Sequence, residues 1–388
     1  MNWTQSTLEL GDVVRRFGPA YIRQQGDRLL PSQRKALQDI MVCHTMALGG
    51  HRYHCQDCGE DFWVYHGCGN RSCPSCHTQA MRKWIDKREE QMLGCRYFHV
   101  IVTVPQPIRA AFLAHQKILY GLLMSTVSSC VMDLMRNPKF AGATPAILTV
   151  LHTWRGDLGF HPHVHLLVSA GGVSSDGSHW IDSRNKKWLL HVGTLSLLVR
   201  RRFKERLEKA APEIFHDIET QVWNAGWNSF CKPYGKGVKA VLNYLGRYVY
   251  RIAISNHRLI AMDETHVTFR YKPFKEKRWR TVRLRGEEFL RRFVMHVLPR
   301  GFHKVRYYGL WHHSHRDTRN RIRLLLAPKT DRIPIPEMVE DPYAIEKGKD
   351  TSSFDPNDQK PAPVYPTCPH CQSPNVIPVE ILYRNRSP

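Results

Sequence analysis

Two periodicities alternate along the chain. Strand-like runs of β-branched and aromatic residues occur at YFHVIVTV, Tyr97 to Val104, stopped by Pro105, and at AILTVLHTW, Ala146 to Trp154. A third, HVHLLVSA, runs from His163 to Ala170 and ends at Gly171 and Gly172. Helical spacing appears at Leu37, Ile40 and Met41, after Pro31 and Ser32, whose hydroxyl is expected to cap the helix start. It returns in a long amphipathic stretch from Ile108 to Met135, in a basic one from Leu195 to Lys209, in Val238 to Tyr248, and in GEEFLRRFVMHVL. Ile252 to Arg283 reads as hairpins, and KVRYYG as a closing strand. The connection from Trp154 to His163 is too short for a parallel crossover, so those two strands should be antiparallel neighbours. Strands separated by helices, with two of them joined by a short turn, predict an α+β fold built on an antiparallel sheet rather than a doubly wound one.

Composition divides the chain further. From Cys43 to His77 the residues turn to Cys, His and Gly, and from about Lys329 to Pro363 the chain is Pro-rich and acidic. The expected organisation is a helical segment at 1–40, a metal-binding module with its exit helix at 41–93, a main domain at 94–328, and a linker with a CxxC tail at 329–388. No internal repeat is visible. With 388 residues and 42% apolar content the chain can bury more than one core. Its 57 Lys and Arg against 34 Asp and Glu leave a net charge of +23, which points to a polyanionic partner, most simply nucleic acid. The N-terminus lacks the basic start and apolar run of a signal peptide, and no run of 18 apolar residues follows, so a cytoplasmic, nucleoid-associated protein is expected. Most of the 11 cysteines fall in short CxxC units, which reads as metal ligation in a reducing compartment.

Cys55-x-x-Cys58 and Cys73-x-x-Cys76 are two knuckles that can fold back to offer zinc four thiolates. Cys43, His54, His66 and Cys68 form a surplus set, enough for a second zinc. Cys368-x-x-Cys371 stands alone, and two ligands do not hold a structural ion; His312, His313 or His315 are the nearby candidates for help.

His163-Val164-His165 heads an apolar strand, and alternate strand residues project from one face, so two imidazoles emerge together. Tyr244 and Tyr248 are four apart on a helix and share its face, flanking an apolar stripe of Val238, Leu242, Leu245 and Val249. Each feature alone also fits ordinary packing.

Together they resemble the HUH endonucleases. More closely, HRYHCQDCG, GNRSCPSC, YFHVIVTVP, LHTWRGDLGFHPHVHLLV, YLGRYVYRIAISNHR and VRYYG, in that order, resemble bacterial rolling-circle insertion-sequence transposases with an N-terminal zinc-binding domain. The resemblance runs from roughly Pro31 to Arg319. It implies that His163 and His165 hold a catalytic magnesium or manganese ion. A third ligand is then expected, with His152 favoured for its place on the neighbouring strand over His161 and Asn243. It also implies that Tyr244 and Tyr248 attack DNA to form 5′-phosphotyrosine bonds, aided by Arg247 and Arg251. The implied partners are single-stranded or hairpin ends of the mobile element and its target DNA. A replication initiator or relaxase shares this chemistry, and a zinc-dependent DNA-binding regulator would keep the same residues for structural reasons.

Overall fold

In the computed structural model, the described residues are 8–76, 92–249, 251–273, 276, 278–326 and 366–384. All but the last two residues of the expected exit helix, the acidic linker and Tyr250 lie outside them. The chain forms two compact units that interleave along the sequence. One comprises Met1–His77, Ile254–Arg291 and Val339–Pro388, the other Thr78–Ala253 and Arg292–Met338. The sequence reading instead kept 94–328 together.

The second unit is built on a five-stranded sheet. Its strands are β1 (Arg96–Thr103), β2 (Ala146–Trp154), β3 (Phe160–Ser169), β4 (Asn228–Lys236) and β5 (Val305–Gly309), in the order β5-β2-β3-β1-β4. Every neighbouring pair is antiparallel, β2 with β3 included. Both faces of the sheet are covered, so the central strands are apolar on either side of the pleat. On one face Phe98, Val100, Val102, Ile147, Val164 and Leu166 pack under α1 (Gln116–Arg136) and α2 (Val192–Ala210). A buried hydrogen bond of 2.8 Å between the Ser128 and Thr149 hydroxyls satisfies the polar atoms there. On the other face Tyr97, Leu148, Val150 and Leu167 meet α3 (Gly237–Tyr244) and Trp311.

The long helix expected from Ile108 to Met135 is broken at His115, whose ψ of 46° separates Arg109–Ala114 from α1. By length and composition α1 resembles a membrane-crossing helix, but 61% of its apolar window is buried, and its residues belong to the sheet's core.

In the first unit, helices Leu10–Gln25 and Pro31–Met41 precede the Cys-rich segment. Pro31 sits at the helix start, where its missing N–H is not needed. The cap is Gln33 and not Ser32: its side-chain oxygen accepts from the Leu30 N–H at 3.0 Å. The expected hairpins appear as a three-stranded sheet of Leu259–Met262, His266–Tyr271 and Arg280–Arg285. A second small sheet places Gly50–Cys55 between Asp61–Tyr65 and Val376–Leu382, both antiparallel to it.

Candidate functional site

Register decides which side chains meet on the sheet. His152 on β2 lies opposite His163 on β3, and His165 is two residues along from His163 on the same face. One ring nitrogen from each of the three histidines lies within 4.8 Å of those of the other two. Each ring is oriented through another nitrogen. His152 Nε2–H donates to the Tyr248 carbonyl at 2.7 Å, and His163 Nδ1–H donates to the His161 carbonyl at 2.7 Å. His165 Nδ1 is 2.8 Å from Nε2 of His99, on the adjoining strand β1. These bonds use one nitrogen of each ring, so Nδ1 of His152 and Nε2 of His163 and His165 are the atoms that could hold a metal ion, with outer partners fixing the imidazoles. Burial favours the neutral rings that ligation requires. Desolvation is the largest influence on all three: it pushes His163 down to about 4 and holds His152 and His165 well below the ordinary histidine value. Positive charge from Arg251 acts in the same direction on each.

His99 was missed by the sequence reading. It is buried in β1 and touches His165, Tyr244 and Tyr248, with ring centroids 5.1, 5.4 and 4.6 Å away. The only signal was a polar residue inside YFHVIVTV at a position sharing the face of Tyr97.

The helix of the tyrosines departs from expectation. Its α-helical part ends at Tyr244 and continues as a single π-helical turn, Leu245–Val249, a local distortion often found at functional sites. Tyr244 and Tyr248 do share a face, with ring centroids 4.7 Å apart. That face is the buried one: both rings are in the core, whereas Val238 and Leu242 of the expected apolar stripe are only half-buried. Tyr248 packs on His165 at 4.6 Å and lies 6.3 Å from His152. Among the described residues the buried Tyr244 hydroxyl has no hydrogen-bond partner, and burial holds its pKa well above the usual phenol value. Arg247 is exposed, unlike the tyrosines it was expected to assist; the charge of Arg251 reaches all three histidines, and that of Arg109 reaches His163. Asn243 is also exposed, and His161 contributes its backbone carbonyl to the site.

The cysteines pair differently from the sequence expectation. Cys55 and Cys58 do not join Cys73 and Cys76. One cluster is Cys43, Cys68, Cys73 and Cys76, the other Cys55, Cys58, Cys368 and Cys371, with the four sulfurs of each within 4.8 Å of one another. In the first, Cys43 Sγ lies 3.6 Å from Cys73 Sγ and 3.4 Å from Cys76 Sγ. Backbone N–H groups of Cys68, Gly69 and Asn70 point at sulfurs of this cluster, which suits thiolates. His54 and His66 do not complete the set, since His54 pairs with Asp61 at 2.7 Å and His66 faces the Leu48 carbonyl at 3.2 Å. His312 is likewise engaged locally, with the Ser314 hydroxyl at 2.8 Å, and the tail knuckle has found Cys55 and Cys58 in place of the histidines proposed for it.

Two stretches of the chain match known families. Residues 13–104 match a family described as "Transposase zinc-binding domain", and residues 146–319 match one described as "Putative transposase". No solved structure matches the chain. The two family matches make the chain a transposase with a zinc-binding domain, a class of protein that cuts and joins DNA. At 34% identity over 97% of this chain and 96% of the relative, it is similar to "Putative transposase y4qJ" of Sinorhizobium fredii. It is 26% identical, over 70% of its length and 68% of the relative's, to the "Transposase for insertion sequence element IS801" of Pseudomonas savastanoi pv. phaseolicola. The chain belongs to the IS91-type family of bacterial insertion-sequence transposases.

Proposed function

We propose that the protein moves its element by an HUH-type mechanism, cutting single-stranded DNA with a tyrosine and rejoining it through a 5′-phosphotyrosine bond. The observation that carries this reading is the convergence of His152, His163 and His165 on one point of the sheet, with Tyr248 packed against His165. When bound there, a divalent cation would polarise the scissile phosphate and neutralise its charge. Three imidazoles with no carboxylate among the described residues of the group suit manganese better than magnesium. The zinc of the zinc-binding domain is assigned to Cys43, Cys68, Cys73 and Cys76.

In the cleavage step the phenol oxygen bonds to phosphorus while the bond to the 3′ oxygen breaks. The phenol loses a proton, the 3′ oxygen gains one, and the 5′-phosphate stays on the tyrosine. This conserves the ester bond, so a 3′ hydroxyl can reverse the step on the same strand or on a new one. Tyr248 is the ring against the histidine set, and Tyr244 reaches that set through His99. Both rings are shut from solvent, so the DNA-bound state must open the Tyr244–Val249 segment to admit a phosphate. A cavity of about 920 Å³ on the same unit supports a DNA reading. Arg306, Arg316, Arg319 and Arg323 line it together with Tyr307 and Trp311, a mixture suited to phosphates and stacked bases.

The test is covalent trapping. Incubated with a single-stranded oligonucleotide of the element's end and manganese, the protein should form a gel-shifted adduct that is lost with chelator and in His163→Ala and His165→Ala. Those variants should still bind the oligonucleotide, because phosphate contacts supply most of the affinity. Adduct formation that persists in either variant, or that maps away from Tyr244 and Tyr248, would sink the assignment.

A further inference from the structure

We infer that the protein carries a second structural zinc site, formed by Cys55 and Cys58 with Cys368 and Cys371, which fastens the C-terminal strand to the N-terminal zinc module. This goes beyond the reading above: half of its ligands lie well outside the matched zinc-binding region, 316 residues along the chain between Cys55 and Cys371.

The two contributing turns are built alike. In each, the residue after the second cysteine donates its N–H back to the carbonyl of the first: Gly59 to Cys55 and Gln372 to Cys368, both at 2.9 Å. In each, that residue has a left-handed backbone, with φ of 76° at Gly59 and 63° at Gln372. A glycine adopts this freely; a glutamine does so at a cost, which marks the turn as held by its surroundings. The turn aims both sulfurs to one side. The two knuckles also face each other across specific bonds. Gln56 N–H donates to the Asn375 carbonyl at 3.0 Å, the Asn375 side chain reaches the Asp57 carboxylate at 2.9 Å, and the Ser373 hydroxyl donates to the same carboxylate.

The sulfurs then fall at metal-site spacing. Cys55 Sγ is 3.5 Å from Cys371 Sγ, and Cys58 Sγ is 3.6 Å from Cys368 Sγ. Four thiolates about 2.3 Å from a tetrahedral zinc stand about 3.8 Å from each other. A disulfide would need about 2.05 Å. Four thiols alone give poor cohesion, and among the described residues the strand pairing and these polar bonds are backed by little apolar burial. The buried apolar cluster at this end is Cys55, Cys368 and Val376 with Tyr53 and Phe62 beside it, while Ile377, Val379 and Ile381 of the added strand are exposed. A core this small ordinarily requires a metal or a disulfide to persist. The ion supplies that staple and selects zinc by its all-thiolate set.

Cobalt substitution of the full chain reads the two thiolate sites apart from the histidine set, because only thiolates give the sulfur-to-cobalt charge-transfer band. The band should saturate at two equivalents in the native sequence and at one in either Cys371→Ser or Cys68→Ser, so the two clusters can fail separately. Saturation at one equivalent in the native sequence, or at two in Cys371→Ser, overturns the proposal. A second measurement needs no variant. Cys58 and Cys371 are exposed, so as free thiols they would alkylate quickly. In the zinc-loaded protein N-ethylmaleimide should modify both far more slowly than after chelation; equal rates in the two states overturn it as well.

Discussion

A phenol enclosed without a hydrogen-bond partner is a net cost to a fold, and among the described residues Tyr244 is such a phenol. Phenylalanine would fill the same space, so the proposed nucleophile role accounts for the hydroxyl where packing does not. Tyr244→Phe should therefore leave the urea midpoint unchanged or raise it, while removing covalent adducts that depend on this residue; a loss of more than about 1 kcal/mol would show that the hydroxyl serves the fold. His99 has the opposite signature, because its ring holds the His165 ring through a 2.8 Å bond. His99→Ala should weaken manganese binding by about 10- to 100-fold as measured by calorimetry, and His99→Gln, which retains a donor, should recover part of the loss. Unchanged affinity in both would return His99 to a packing role. At this scale the His163–His165 pair was readable from strand period alone, and its meeting with His152 followed from a short connection. His99 was not readable: a histidine within an apolar strand carries no sign of what lies across the sheet. That Arg247 lies on the exposed side was not readable either, because helix spacing gives neighbours along the helix but not which side is buried.

At the scale of elements, close approach of backbones sets what sequence can tolerate. Gly309 closes β5 with φ of 58°, and a Cβ there would lie 1.9 Å from the Pro145 carbonyl oxygen. Gly309→Ala should destabilise the protein by more than about 2 kcal/mol, combining left-handed strain with a backbone clash, and a denaturant midpoint within error of the unsubstituted protein would refute the described geometry. The same scale shows where sequence reading stops. The strands β1, β2 and β3 announced themselves because both of their faces are buried. β4, NSFCKPYGK, did not: as an edge strand it can hold Pro233 and Gly235, residues that read as loop. Val376–Leu382 was hidden for a related reason, since its outward Ile377, Val379 and Ile381 cover no core. The two zinc knuckles were visible as motifs, yet spacing favoured nearby cysteines and could not reveal a partner pair hundreds of residues away.

Across the whole molecule, buried histidines tie stability to pH. His296 is enclosed, with Nε2–H donating to the Leu158 carbonyl at 3.1 Å, and burial pushes it down to about 4 from 6.5. A histidine with a depressed folded-state pKa binds fewer protons folded than unfolded between those values. Stability is then full above about 6.5 and falls as the pH drops toward 4. His163, also pushed down to about 4, adds in the same direction in the metal-free protein. Urea midpoints of the metal-free protein should thus be flat from pH 8 to 7 and decline on going to pH 5; a midpoint that rises on acidification would contradict the buried neutral state.

The pairing of Gly50–Cys55 with Val376–Leu382 has a consequence for how the protein is made. A ribosome adding about 5 to 20 residues per second leaves tens of seconds between the synthesis of these two strands. Throughout that interval the earlier strand has Asp61–Tyr65 on one flank and an open hydrogen-bonding edge on the other. A nascent chain whose translation aborts before the later strand never closes that edge. Such fragments would present an unpaired strand and unsatisfied thiols to the cell's proteases, and only a message read through Val376–Leu382 would yield a sealed module.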